Sequence, residues 1–79
     1  VDKAKKLFDR LKNSPNNATF AELKALLVAE GFYLDRTESS HNVFKKGEVI
    51  FVVPVHGKRV KSVYVKRALT IISEMKKGE

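Results

Sequence analysis

His41-Asn42-Val43-Phe44-Lys45-Lys46-Gly47-Glu48-Val49-Ile50-Phe51-Val52-Val53-Pro54 is the stretch that decides the fold. Two runs rich in β-branched and aromatic residues flank a glycine. A proline, which has no N–H for a sheet ladder, closes the second run. The pattern reads as a β-hairpin with strands over 41–45 and 49–53 and Lys46-Gly47 as a two-residue connection. In that register Lys45 faces Glu48, Phe44 faces Val49 and His41 faces Val52. Alternation then puts Phe44, Val49, Phe51 and Val53 on one face, the floor for helices. His41, Val43, Ile50 and Val52 share the other face, which is partly apolar. Either a protein partner or the N-terminal helix folding back is expected to cover it.

Working outward, Phe32 to Thr37 reads as another strand, joined to His41 by a turn at Glu38-Ser39-Ser40. Before it, Thr19-Phe20-Ala21-Glu22 is a capping box, in which the threonine hydroxyl and the Glu22 carboxylate satisfy orphan backbone N–H groups. Phe20, Leu23, Leu26 and Leu27 form the buried stripe of the helix that follows. Gly31 supplies its left-handed stop. Further upstream, Ala4, Leu7, Phe8 and Leu11 keep helical spacing over 3–12, and Asn13-Ser14-Pro15-Asn16-Asn17 breaks the pattern. That first helix is expected as an appendage on a short linker. Downstream, 55–59 is a loop with His56 and Gly57. A final helix runs from about Lys61 to Lys76 on Val65, Ala68, Leu69, Ile72 and Met75. The whole is an α+β chain in one domain over 1–79: an appended helix at 3–12, then an α-β-β-β-α core at 19–76 whose three-stranded antiparallel meander packs on helices.

The chain has 79 residues, 43% of them apolar, and no cysteine. A core of this size is marginal, and packing alone must hold it. Net charge is +7, unevenly spread: residues 1–39 carry seven Lys/Arg against six acids, residues 40–79 nine against three. The basic excess favours a polyanionic partner. No apolar stretch reaches the ~20 residues of a membrane span. Val1-Asp2-Lys3-Ala4-Lys5 lacks the build of a signal peptide, and the expected location is the cytoplasm. Gly-rich phosphate loops, zinc-ligand spacing and a nucleophile elbow are all missing, so neither a cofactor nor a metal is expected. Ser39 and Ser40 beside a histidine do not make a triad; they read as turn residues.

His41 stands where a turn hands over to a strand. Imidazole is the side chain that moves protons near neutrality. RNA carries its own nucleophile, the ribose 2′-hydroxyl, so an RNA-cleaving protein needs a proton-moving group and donors that hold the phosphate. His41 can supply the first, and Lys45, Lys46, Lys58, Arg59 and Lys61 the second. Ser39 and Ser40, adjacent to His41, join them as candidate RNA-contacting positions. His56 reads first as a loop hydrogen-bonding residue and then as a phosphate contact. The plain reading of His41, an ordinary surface histidine, stands beside the catalytic one on chemistry alone. Lys66-Arg67 reads as a solvated helix face.

These residues also carry a family resemblance. From Phe20 to about Ile72 the chain resembles the HicA family of bacterial toxins. The features in order are a capped Phe-x-x-Leu-x-x-Leu-Leu helix ending in Gly31-Phe32, then Ser40-His41-Asn42-Val43-Phe44. A strand ending in Pro54 with His56 two residues on comes next. Lys58-Arg59-Val60-Lys61 then leads into a helix containing Tyr64-Val65. The resemblance implies a double-stranded-RNA-binding-domain-like fold and an mRNA interferase whose catalytic residue is His41, working without metal. It also implies a HicB-type antitoxin over the active face, where Val43, Ile50 and Val52 lie. The family usually has Gly-Ser-His, whereas this chain has Ser39. A positive φ there would strain a residue that carries a Cβ. A second histidine is common after the catalytic one, and Asn42 takes that position. Two other readings remain open on sequence: a non-catalytic RNA-binding module of the same fold, and a protein-interaction adaptor using the apolar sheet face.

Overall fold

A computed structural model describes residues 2–78. Val1 and Glu79, the ends of the domain expected over 1–79, lie outside the described residues. The elements are α1 (Lys3–Asn13), a 3-10 turn (Pro15–Asn17), α2 (Phe20–Ala29), β1 (Tyr33–Glu38), β2 (His41–Lys46), β3 (Val49–Pro54) and α3 (Ser62–Lys77). The three strands form one antiparallel sheet in the order β1-β2-β3, so the architecture is α+β as the sequence indicates.

Local chemistry sets the helix ends. Asp2 caps α1 by accepting the N–H groups of Ala4 at 3.0 Å and Lys5 at 3.3 Å. The capping box of α2 is complete, with Glu22 N–H donating to the Thr19 hydroxyl at 3.2 Å and Thr19 N–H to the Glu22 carboxylate at 3.1 Å. At the other end Gly31 adopts φ +99°. Its N–H donates to Val28 O at 3.0 Å, and Phe32 N–H donates to Leu27 O at 2.9 Å. These two bonds make the reciprocal C-terminal motif that only a left-handed residue permits. Lys46 adds a third closure, donating from Nζ to Glu30 O at 2.7 Å.

The β2–β3 register differs from the expected one by two residues. Lys46 pairs with Val49, Phe44 with Phe51 and His41 with Pro54, so the connection is Gly47-Glu48 rather than Lys46-Gly47. The reason is turn chemistry: Gly47 takes φ +58° at the first loop position, while Glu48 keeps a negative φ. A Lys46-Gly47 loop would instead force the positive φ on lysine, which has a Cβ. A two-residue slip preserves alternation, and the faces therefore stand as expected. Val55 N–H donates to Ser40 O at 2.8 Å, carrying the pairing one step past Pro54. Bonded and non-bonded pairs alternate, so His41–Pro54 is a non-bonded pair and the missing proline N–H breaks no ladder bond. Between β1 and β2 the register shifts between Leu34 and Arg36, leaving Asp35 as a bulge.

Phe44, Phe51 and Val53 enter one core with Leu23, Leu26 and Leu27 of α2 and Val65, Ala68, Leu69 and Ile72 of α3. Phe20 meets Phe44 with ring centroids 6.1 Å apart. The first helix is more than the appendage expected from sequence, because Leu11 is fully buried in the same core. Arg10 of α1 also donates to the Glu22 carboxylate of α2. With Leu11 in this core, α1 is not the cover for the opposite sheet face. There Ile50 is 60% exposed, Val52 40% and Tyr33 55%. Val43, expected to be open on that face, is only 7% exposed. Its central-strand position between Arg36 and Val52 closes it off.

Candidate active site

His41 is the first residue of β2 and follows the two-residue loop Ser39-Ser40, which closes between Glu38 and His41. Ser39 holds this loop in the left-handed region at φ +57°, the only non-glycine residue with positive φ among those described. The conformation anticipated for a glycine is therefore imposed on a serine. In this register His41 shares the open face with Glu38 on one side and Pro54 on the other.

Beyond Pro54 the chain turns through Gly57, at φ +81°, and pairs His56 with Arg59 in an isolated bridge. This turn is fastened to the start of α2. Phe20 N–H donates to Lys58 O at 2.9 Å, Val60 N–H to Ala18 O at 3.2 Å, and Arg59 Nη1 to Asn17 Oδ1 at 3.0 Å. Lys61 then forms the N-cap of α3, and Tyr64 N–H donates to Lys61 O at 3.0 Å. The result is a cleft of about 260 Å³ lined by His41, Pro54, His56, Lys61 and Tyr64. No side chain caps α3, so its first-turn N–H groups add a favourable end for an anion. Arg67, one turn along α3, lies over the Tyr64 ring at 5.6 Å.

Of the expected site residues, the fold gathers His41, His56 and Lys61 into this cleft. Ser39 and Ser40 form the loop before His41 and are not among the residues lining the cleft, and Lys58 and Arg59 sit on the fastened turn. Lys45 and Lys46 are engaged elsewhere. Lys45 Nζ is 3.3 Å from Asp35 on the open sheet face. Lys46 points to the helix side, against Gly31 and Glu30. Val43, Ile50 and Val52 line the same face as His41 with the unequal exposures given above. Tyr64 has no role that the sequence alone points to. Its signal is the i, i+3 spacing from Lys61 at a helix start, which sets both side chains toward one end of the sheet. Larger hollows of about 440 and 610 Å³ lie among the helices, and neither contains a histidine. Among the described residues, no group of three or more His, Asp or Glu side chains is gathered as metal ligands would be. Nor is any helix there long and apolar enough to cross a membrane.

Fold and cleft together define a class: a small basic α+β protein with a histidine- and lysine-lined cleft at one end of its sheet. A family model described as the HicA toxin of bacterial toxin–antitoxin systems matches residues 20–73. That span is well over half of the chain and includes every residue of the cleft, and the chain belongs to the HicA toxin family. It is thus a toxin of the toxin–antitoxin class. No curated protein and no solved structure matched.

Proposed function

We propose that this toxin is an endoribonuclease, an mRNA interferase that acts in the cytoplasm and uses His41 without a metal ion. The observation that carries the reading is the convergence of His41, His56 and Lys61 on one cleft. His41 takes the proton from the ribose 2′-hydroxyl or gives one to the leaving 5′-oxygen. Lys61, the uncapped start of α3, Lys58 and Arg59 offset the phosphate charge as it grows toward the phosphorane. The meander with helices on one face fits a double-stranded-RNA-binding-domain-like fold. A HicB-type antitoxin lies over the open face, where Ile50 and Val52 adjoin His41 and an apolar surface needs a cover.

The test is cleavage of RNA by purified protein with chelator present. Wild type is expected to cut, and a folded His41→Ala protein to lose at least about 10²-fold in rate, the usual contribution of a positioned proton-transfer group. Undiminished cleavage by His41→Ala rejects the reading. RNA that is bound in a salt-dependent way but recovered intact assigns the protein instead to non-catalytic RNA binding.

A further inference from the structure

We infer that His56 is a second proton-transfer group, so that strand cleavage is shared between two imidazoles, His41 and His56; the inference rests on the ribonuclease reading above. The two residues are remote in sequence, on β2 and on the turn after β3, yet they line the same hollow of about 260 Å³. The reaction asks for two separately placed groups. The 2′-oxygen attacks phosphorus, the O2′–P bond forms and the P–O5′ bond breaks. One proton leaves O2′ and one arrives at O5′, giving a 2′,3′-cyclic phosphate and a 5′-hydroxyl with no other reagent consumed. The entering and leaving oxygens lie on opposite sides of phosphorus, and one imidazole does not meet both at once.

Four polar side chains line the cleft: His41, His56, Lys61 and Tyr64. A lysine ordinarily stays protonated at neutral pH and a tyrosine ordinarily stays un-ionised, whereas imidazole serves in either form. The two histidines are therefore the pair able to act as acid and base. His56 is also suitably held, because its turn is bonded to Ala18 and Phe20 through Val60 and Lys58 and to Asn17 through Arg59. The charged and titratable neighbours are Glu38, across β1 from His41 and itself bonded to Arg36; Arg59, bridged to His56; Lys61 and Tyr64 from the start of α3; and Arg67 over Tyr64.

The experiment measures single-turnover RNA cleavage by the full chain at saturating RNA, from about pH 5 to about pH 9, with RNA affinity measured alongside. Wild type is expected to give a bell-shaped profile. His56→Ala and His56→Gln are each expected to lower the maximal rate by about 10²–10³-fold and to lose one limb of the bell, with affinity changed by less than about threefold. The Gln variant retains an N–H donor, so it carries the result if His56→Ala does not fold. A loss confined to affinity, or a rate and both limbs preserved in His56→Gln, overturns the proposal and makes His56 a phosphate contact. Failure of the underlying reading looks different: no cleavage by wild type, or full cleavage by His41→Ala.

Discussion

Ser39 carries the clearest conflict between side chain and backbone in this chain. Its φ of +57° belongs to the region that disfavours any residue with a Cβ, by about 1–2 kcal/mol. Ser39→Gly relieves that clash while adding roughly 0.5–1 kcal/mol of unfolded-state entropy cost. A net stabilisation of about 0.5–1 kcal/mol is expected, read as a higher denaturant midpoint with unchanged slope. A lower midpoint would mean that the serine side chain contributes more to the loop than its backbone costs. Since Ser39 stands two positions before His41, the same variant also reports on the site. The strain was legible in the sequence because the family pattern places glycine there and this chain does not.

At the scale of elements, the ion pair between Arg10 and Glu22 joins α1 to α2 while Glu22 completes the α2 capping box. The hydrogen bond from Arg10, then that from Thr19 N–H, hold the Glu22 carboxyl below its ordinary value of 4.5. A depressed carboxylate stabilises the fold fully above the unfolded value and stops doing so as pH falls through the folded one. Wild type is accordingly expected to lose stability below about pH 4.5. Glu22→Gln should melt lower than wild type at neutral pH and converge with it in acid. Parallel melting curves that keep their separation at pH near 3 would place the effect elsewhere. The ends of α2 were readable in advance because capping box and glycine stop are local signals. The β2–β3 register was not, since hairpin spacing alone left the loop one residue, and the pairing two, away from where Gly47 is best used. Nor was the cleft: His41 comes from β2, His56 from the turn after β3, and Lys61 and Tyr64 from the start of α3, and only tertiary packing brings them together.

For the molecule as a whole, α1 decides how much core there is. The proline break at Pro15 made it read as an appendage, yet Leu11 is 1% exposed and packs with residues of α2, the sheet and α3. Leu11→Ala should cost about 2–4 kcal/mol. A chain of this length has roughly 4–12 kcal/mol in total, so the variant should melt many degrees lower. A drop under about 1 kcal/mol would return α1 to a peripheral role. The sheet order has a further consequence for handling and fate. Both β1 and β3 are edge strands. β1 is blunted by its bulge and by Asp35, Arg36 and Glu38. β3 is a run of Val49, Ile50, Phe51, Val52 and Val53, guarded mainly by Pro54 at its end. Mutual repulsion from a net charge of +7 keeps copies of the chain apart in dilute buffer. Added salt screens that repulsion and leaves this one edge as the template for self-assembly.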